Sequence, residues 1–471
     1  MRGRMRSSRQ RRANLLARQG VNKNGGNGEP AAWIESFYIE GIAATDQTGN
    51  FDLVSDSSFQ EVGAFSRPGT PKAVKVIAFH ADSFSMGYAT GSGEQFHISI
   101  HDEFSAATIN SDTRLEDTNM GVCEDGGDTI ELEFSFVEFL PNGVRVNITT
   151  NTVGSFGVNI VVICFGGTSC QAQAITHDVD GNAVNNTVDV TALDFEPELV
   201  FSHIGNSGHT ALGRTANANF NFGITHNDGG ADPQPQFGYA YELENGTNAQ
   251  QLRSQHRNTS GYALIAEANG GADLVAAELL GFDATGFTVH CRERTNWGTT
   301  KAGALCLSWG GDADIHLQAI DSETTDITQA HTDPGWKPDF MYMTCNRSGS
   351  TATETVGTND DLAGGMAGAW TSPRDGDPDP DEVGTDIRGR WKCLGDDNNG
   401  NGTMTKSSSV SANGIFPSQP LDPTRTSSHS AAQFLRVDFE SFDASGYTID
   451  YVDAASGVKS IIVLAIRDNT V

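Results

Sequence analysis

Oxygen ligands for a metal are the first chemistry this chain offers. Asp397, Asn399 and Asn401 alternate ahead of Gly402, the spacing at which side-chain oxygens converge once a glycine lets the chain bend. The twelfth position of such a loop holds Ser408 where an EF-hand needs Glu, and no helical pattern flanks it. An EF-hand is therefore rejected, and a looser Ca2+ site on these three residues is the one metal candidate that remains. Asp375, Asp377, Asp379 and Asp381 also alternate, but the interleaved prolines read as an extended, solvated loop. His97 and His101 have the four-residue spacing of a helical metal pair. They lie in an alternating run, however, and in a strand that spacing is roughly 13 Å. The two are expected to be exposed strand residues that share no metal.

Catalytic signatures do not assemble. The loop Gly205–His209 lacks the G-x-S-x-G spacing of a hydrolase elbow, and Asn227–Gly230 lacks the lysine and helix of a phosphate loop. No two of the many carboxylates stand out as an acid–base pair. The expectation is a non-enzymatic protein that requires no cofactor. Among the tryptophans, Trp309 and Trp336 fall on regularly patterned sequence and read as core. Trp297, Trp370 and Trp391 fall in loop-like sequence, where aromatic faces stack on sugars, so they are the candidate glycan contacts. Cys164 and Cys306 sit in apolar runs and read as buried small hydrophobes; with seven cysteines the chain cannot pair them all.

The elements that would carry these residues repeat. Three β-rich runs each follow a proline, at Pro71, Pro197 and Pro338, so that successive openings lie 126 and 141 residues apart. Each repeat closes with a turn, an alternating strand and an apolar strand. The turns are Leu140–Val146, Phe282–Val289 and Phe442–Ile449; the apolar strands are Ile160–Phe165, Ala304–Trp309 and Ile461–Ile466. The D-A-x-G tetrads at Asp283–Gly286 and Asp443–Gly446 supply turns in which glycine allows positive φ. A proline at strand entry sacrifices no ladder donor, and an apolar closing run suits a strand buried on both faces. Helical periodicity is weak; Ala263–Leu280 comes nearest to it, and Gly270-Gly271 breaks it. The pattern predicts an all-β chain of tandem antiparallel β-sandwich domains at 33–168, 169–311 and 312–471, behind a basic arm and linker at 1–32.

Charge divides the chain in the same place. The net charge is −30, yet residues 1–19 carry Arg2, Arg4, Arg6, Arg9, Arg11, Arg12 and Arg18 and no acid. Of the 30 basic residues only eight are lysine. An acidic, lysine-poor surface repels polyanions and stays soluble in salt, which points to a marine or halophilic source. The short Leu15–Ala17 run is too brief for a secretory signal, and nothing is long enough to insert in a membrane.

The quoted motifs resemble a repeat found in tail fibres and other appendages of marine bacteriophages and related tailed viruses. The matching residues are Phe195–Val200, Phe282–Val289 and Leu305–Gly311 in the second repeat, and Trp336–Phe340 with Phe442–Ile449 in the third. The resemblance implies a concanavalin-like sandwich used for surface display and often for glycan contact, and it supplies no catalytic residues. Together these readings predict a virion structural protein on the outer surface of the particle: a capsid decoration or turret, a head fibre or a neck component. A receptor-binding tail fibre and a cellular adhesin are the alternatives. The arm, which has almost no apolar surface to bury, is expected to bind capsid, neck or tail protein in preference to packaged nucleic acid. A homo-oligomer and host surface glycan complete the expected partners.

Overall fold

The computed structural model describes residues 29–469 apart from 43–47, 55–68, 81–82, 103–110, 125–128, 142, 153–157, 180–183, 205–211, 217, 231, 233, 244–249, 255–261, 269–271, 295–299, 347–354, 357–363, 371–388, 398–403, 410–435, 454–457 and 459. Every regular element among the described residues is a β-strand, and the strands form six antiparallel sheets.

Three sheets are large and share one order. Each sets a lead strand beside a closing strand, and the closing strand beside an opening strand. In the first these are Trp33–Ile42, Val158–Gly166 and Ala73–His80; in the second, Gln171–Val179, Thr300–Ser308 and Leu199–Ile204; in the third, Ala313–Asp321, Ser460–Asp468 and Phe340–Asn346. The closing runs are thus hydrogen-bonded on both sides, as their unbroken apolar sequence predicts. Three further strands continue each sheet: Ser83–Thr90, Gln95–Asp102 and Ser111–Glu116 in the first; Ala218–His226, Gln236–Leu243 and Gln250–Ser254 in the second; Gly364–Trp370, Gly389–Asp397 and Met404–Ser409 in the third.

A smaller sheet packs on each large one. The first, centred on the Ile130–Leu140 and Gly143–Asn151 hairpin, buries Leu132, Phe134, Val144 and Val146 against Val74, Val76, Val162 and Cys164. The second buries Val275, Leu279, Phe287 and Val289 against Val200, Ala304 and Cys306. The third buries Tyr447, Ile449 and Tyr451 against Met341, Met343 and Val463. Each is a two-layer β-sandwich with its own apolar core.

The register repeats residue for residue. Phe165 lies opposite Ala73, Leu307 opposite Leu199, and Ile466 opposite Phe340. The residue after each opening proline donates its amide to that same closing residue: Lys72 to Phe165 at 2.8 Å, Glu198 to Leu307 at 2.8 Å, and Asp339 to Ile466 at 2.9 Å. The prolines therefore stand one place outside the ladder, where no donor is needed. Two of the residues after them also cap the chain leaving the closing strand. Glu198 accepts the amides of Trp309 at 2.7 Å and Gly311 at 2.6 Å, and Asp339 accepts that of Asp468 at 2.9 Å.

Ala263–Leu280, the stretch nearest to helical periodicity, is strand like the rest: it contains the strand Leu264–Ala268 and most of Ala272–Asp283, which pair as a hairpin. Two sequence readings need correction. His97 is buried, not exposed, because its strand lies between two others and a strand of the small sheet packs against it. Its pKa falls to about 4, chiefly through burial. The D-A-x-G glycines are required by close approach more than by turn geometry. A Cβ on Gly286 would lie 1.7 Å from the Val190 carbonyl oxygen, and one on Gly446 would lie 1.9 Å from that of His331, although Gly446 is not among the positive-φ glycines.

Candidate functional site: the junction of the three large sheets

Strands of a sandwich ordinarily bury one face and wet the other. Here the second face of each large sheet is also covered, because the three sheets turn it toward one another. Their facing residues form a single core that includes Ile77, Tyr88, Phe165, Phe201, Leu305, Tyr342 and Leu464. Each opening strand contributes the residue four places after its proline: Lys75, Phe201 and Tyr342. These three equivalent positions meet. The Lys75 ammonium donates to the Tyr342 hydroxyl at 3.2 Å and lies 4.8 Å from the Phe201 ring centre, and the Phe201 and Tyr342 rings are 6.3 Å apart. The junction is thus an approximate three-fold, occupied on its axis by three different side chains.

Lys75 is fully buried at 0% exposure. Four rings enclose its ammonium, with centres at 4.2 Å for Phe222, 4.4 Å for Tyr342, 4.8 Å for Phe201 and 5.7 Å for Tyr88. Aromatic faces carry the negative end of a quadrupole, so the cage offsets part of the cost of dehydrating the cation. Beside it Tyr88 is hydrogen-bonded to His203 Nε2, and His203 Nδ1 lies 2.6 Å from the Asn221 carbonyl oxygen. A carbonyl only accepts, so Nδ1 carries the proton and Nε2 accepts the tyrosine O–H. Burial, and then the positive charge of Lys75, pushes the His203 pKa down to about 3. The junction therefore holds one buried lysine and a neutral histidine of defined tautomer. Tyr88→Phe leaves Nε2 buried without that donor and is expected to cost about 1–3 kcal/mol; a loss below about half a kcal/mol in denaturant unfolding contradicts this assignment.

One end of the junction gathers both passages of the chain from one sandwich to the next. Thr168 donates its amide to Pro30 at 2.9 Å, Asn469 donates its amide to Asp312 at 3.1 Å, and Ser169 Oγ donates to Asp312 at 2.5 Å. The Trp309 indole, fully buried, donates to the Gly166 carbonyl at 3.0 Å. The chain that precedes Pro30 therefore enters beside both connections and beside the point where the last strand leaves.

The sequence candidates lie elsewhere. Arg2, Arg4, Arg6, Arg9, Arg11, Arg12, Arg18, Trp297, Asn399 and Asn401 lie outside the described residues. Trp370 and Trp391 fall on neighbouring strands of the third large sheet, not in loops, with Trp370 opposite Gly389 and Trp391 opposite Gly368. Asp397 ends one of those strands, paired with Met404. No group of three metal-ligating side chains occurs among the described residues. Trp309 is core as expected, and Trp336 is half-buried with the Arg467 guanidinium 5.1 Å over its ring. Cys164 and Cys306 are both fully buried, and burial raises the Cys306 thiol pKa strongly. The junction residues escaped sequence reading because Val74-Lys75-Val76 looks like a strand with one solvated face.

No family model and no curated protein matches the chain. Among solved structures it is similar to the Faustovirus major capsid protein, with 8% identity over 96% of this chain and 95% of that one, at a TM-score of 0.14. A TM-score of 0.14 does not establish a shared fold, so the all-β sandwich architecture rests on the sheets described above.

Proposed function

We propose that this chain is a non-enzymatic structural protein of a virus particle, displayed on its outer surface and held there by its basic arm. The three sandwiches act as units at 33–168, 169–311 and 312–471, of the concanavalin-like kind. The observation that carries this reading is the contrast between arm and body. Seven arginines without an acid precede a chain whose overall charge is nevertheless −30. Such an arm gains nothing by packing on itself, and arginine binds carboxylates and other anions through paired donors. Its attachment supports an anchoring role, since it joins the body at the end where all the inter-sandwich connections are hydrogen-bonded together. Capsid decoration, head fibre and neck component are the placements proposed, with an acidic face of capsid or neck protein as the partner. Deleting residues 1–19 is expected to leave the sandwiches folded and to abolish incorporation into virions. Normal copy number of the truncated protein on purified particles overturns the reading.

A further inference from the structure

Each lead strand lies across a neighbouring sandwich. Gln171–Val179 of the second packs on Ser83–Thr90 and Gln95–Asp102 of the first, and Ala313–Asp321 of the third packs on Ala218–His226 and Gln236–Leu243 of the second. The ladders fix which residues correspond at these two seams. Ala172 lies opposite Leu307 and Ile315 opposite Ile466, so Gln173 and His316, one residue further on, hold the same place. Ala73 lies opposite Thr90 and Leu199 opposite His226, so Thr90 and His226 correspond too. Their amides agree: Thr90 donates to the Glu94 carbonyl at 2.9 Å, and His226 to that of Pro235 at 2.9 Å.

The two seams differ in what stands at these places. Between the first and second sandwiches the Glu94 carboxylate accepts from Thr90 Oγ1 at 3.2 Å and from Gln173 Nε2 at 3.2 Å, a clamp across the boundary. Between the second and third, Pro235 replaces the carboxylate, and the two clamped places hold His226 and His316. The charges that reach His226 are those of Asp228, in the turn after its own strand, and His316 across the seam. Burial lowers the His226 pKa to about 4; Asp228 opposes the shift and His316 adds to it. His316 Nε2 is itself buried with no acceptor or donor opposite it among the described residues.

His203 is the second sandwich's histidine at the other seam. The first sandwich faces it with Lys75, Tyr88 and the Phe96 ring, and its own sandwich with the Asn221 carbonyl and the Phe222 ring. Lys75 and Tyr88 are the titratable groups among these. A second proton on His203 would have to enter at Nε2, reverse the Tyr88 bond and set positive charge beside Lys75.

We infer that these histidines keep the second sandwich in the ring only while they are uncharged, so that acid parts it from both neighbours before any sandwich loses its own core. The parted state hydrates the rings and therefore binds more protons, so the closed state is favoured above about pH 6.5 and weakens as pH falls toward 4. Each sandwich retains its ladders and a separate apolar core on parting. Inside the first, second and third, one histidine each (His97, His177 and His331) has its pKa lowered, chiefly by burial; the seams of the second carry two, His203 and His226. Strands lent across the same seams, Gly213–Ala216 to Ser111–Glu116 and Thr355–Val356 to Gln250–Ser254, bond through main-chain groups that do not titrate, and they keep the parted sandwiches tethered.

Thiol labelling of the full chain separates parting from unfolding. Cys170 belongs to the core shared by the three sandwiches, whereas Cys123 and Cys164 lie inside the first and Cys291 and Cys306 inside the second. A pyridyl disulfide, which reacts with thiols in acid, is applied at pH 7 and pH 5, with each rate taken relative to a free cysteine peptide and assigned by peptide mass. Cys170 is expected to react on the order of 500-fold faster at pH 5, about 25-fold for each of the two histidines. The other four should change less than about tenfold. His226→Thr with His316→Gln puts the residues of the clamped seam at the histidine seam and should cut the rise by about 25-fold; protection of the four sandwich cysteines at pH 7 certifies that this variant folds. The unsubstituted chain decides by itself if the variant does not fold. A Cys170 rate that does not rise in acid, or that rises together with the other four, overturns the inference, as does a full rise in the folded variant.

Discussion

Acidification from pH 7 to pH 5 is expected to remove about 7 kcal/mol of folding stability, enough to unfold a typical domain. Four histidines, three buried and His226 partly so, set the size of the effect. His97, His177 and His226 have pKa values lowered to about 4, and His203 to about 3, in every case chiefly by burial. Unfolded, each titrates near 6.5. Between the folded and unfolded values the unfolded chain binds more protons, so stability is complete above about pH 6.5 and falls as pH drops toward 4. Each histidine contributes about 2 kcal/mol of loss by pH 5, at 1.36 kcal/mol per pH unit over the interval below 6.5. Asp228 opposes the shift at His226, whereas His316 from the third sheet adds to it. Urea midpoints at pH 7, 6 and 5 measure the loss directly, and a midpoint that stays constant to pH 5 would mean that these rings are not held neutral and dry.

Replacing Lys75 is expected to move stability in opposite directions according to the replacement. Lys75→Met keeps the length and apolar stem, removes a dehydrated charge and leaves the Tyr342 hydroxyl to find another partner. Substituting a well-packed apolar chain for a buried ion is often neutral or stabilising by about 1–4 kcal/mol. The variant should also raise the His203 pKa, since the Lys75 charge is one of the two causes lowering it. Lys75→Glu sets a carboxylate against the negative faces of four rings, and an uncompensated buried charge costs about 3–5 kcal/mol. Denaturant unfolding of the two variants should therefore bracket the parent. If Lys75→Met destabilises as much as Lys75→Glu, the cage is stabilising the cation by more than its dehydration costs.

What could be read from the sequence was whatever one strand shows on its own. The opening prolines, the hairpins and the apolar closing strands Thr300–Ser308 and Ser460–Asp468 follow from period-two patterning and turn residues, which are local properties. The helical look of Ala263–Leu280 has a local cause too. Val275, Ala277 and Leu279 alternate toward a core, but Ala276 and Glu278 between them are buried as well, Glu278 bonded to Arg292. A strand covered on both sides loses the alternation that would identify it, and its alanines and leucines then mimic a helix. The junction was illegible for a related reason. Whether the far face of Ala73–His80 meets water or two other sheets depends on residues 126 and 267 positions away, at Phe201 and Tyr342. The arm was legible by composition alone.

The unlike trio at the centre also restricts how this molecule can be taken apart. Three separate copies of the first sandwich, assembled in the same way, would crowd three ammonium groups onto one axis. Three copies of the second would put three phenylalanines there, with no cation and no hydroxyl. Neither homotrimer reproduces the pairing of Lys75 with Tyr342 over Phe201. Stoichiometry and order are thus written into the covalent chain: one of each sandwich, in one sequence, made in a single round of translation. A permuted gene that rejoins the segments in another order would have to preserve the ring of neighbours, so only the cyclic rearrangements are compatible with this core.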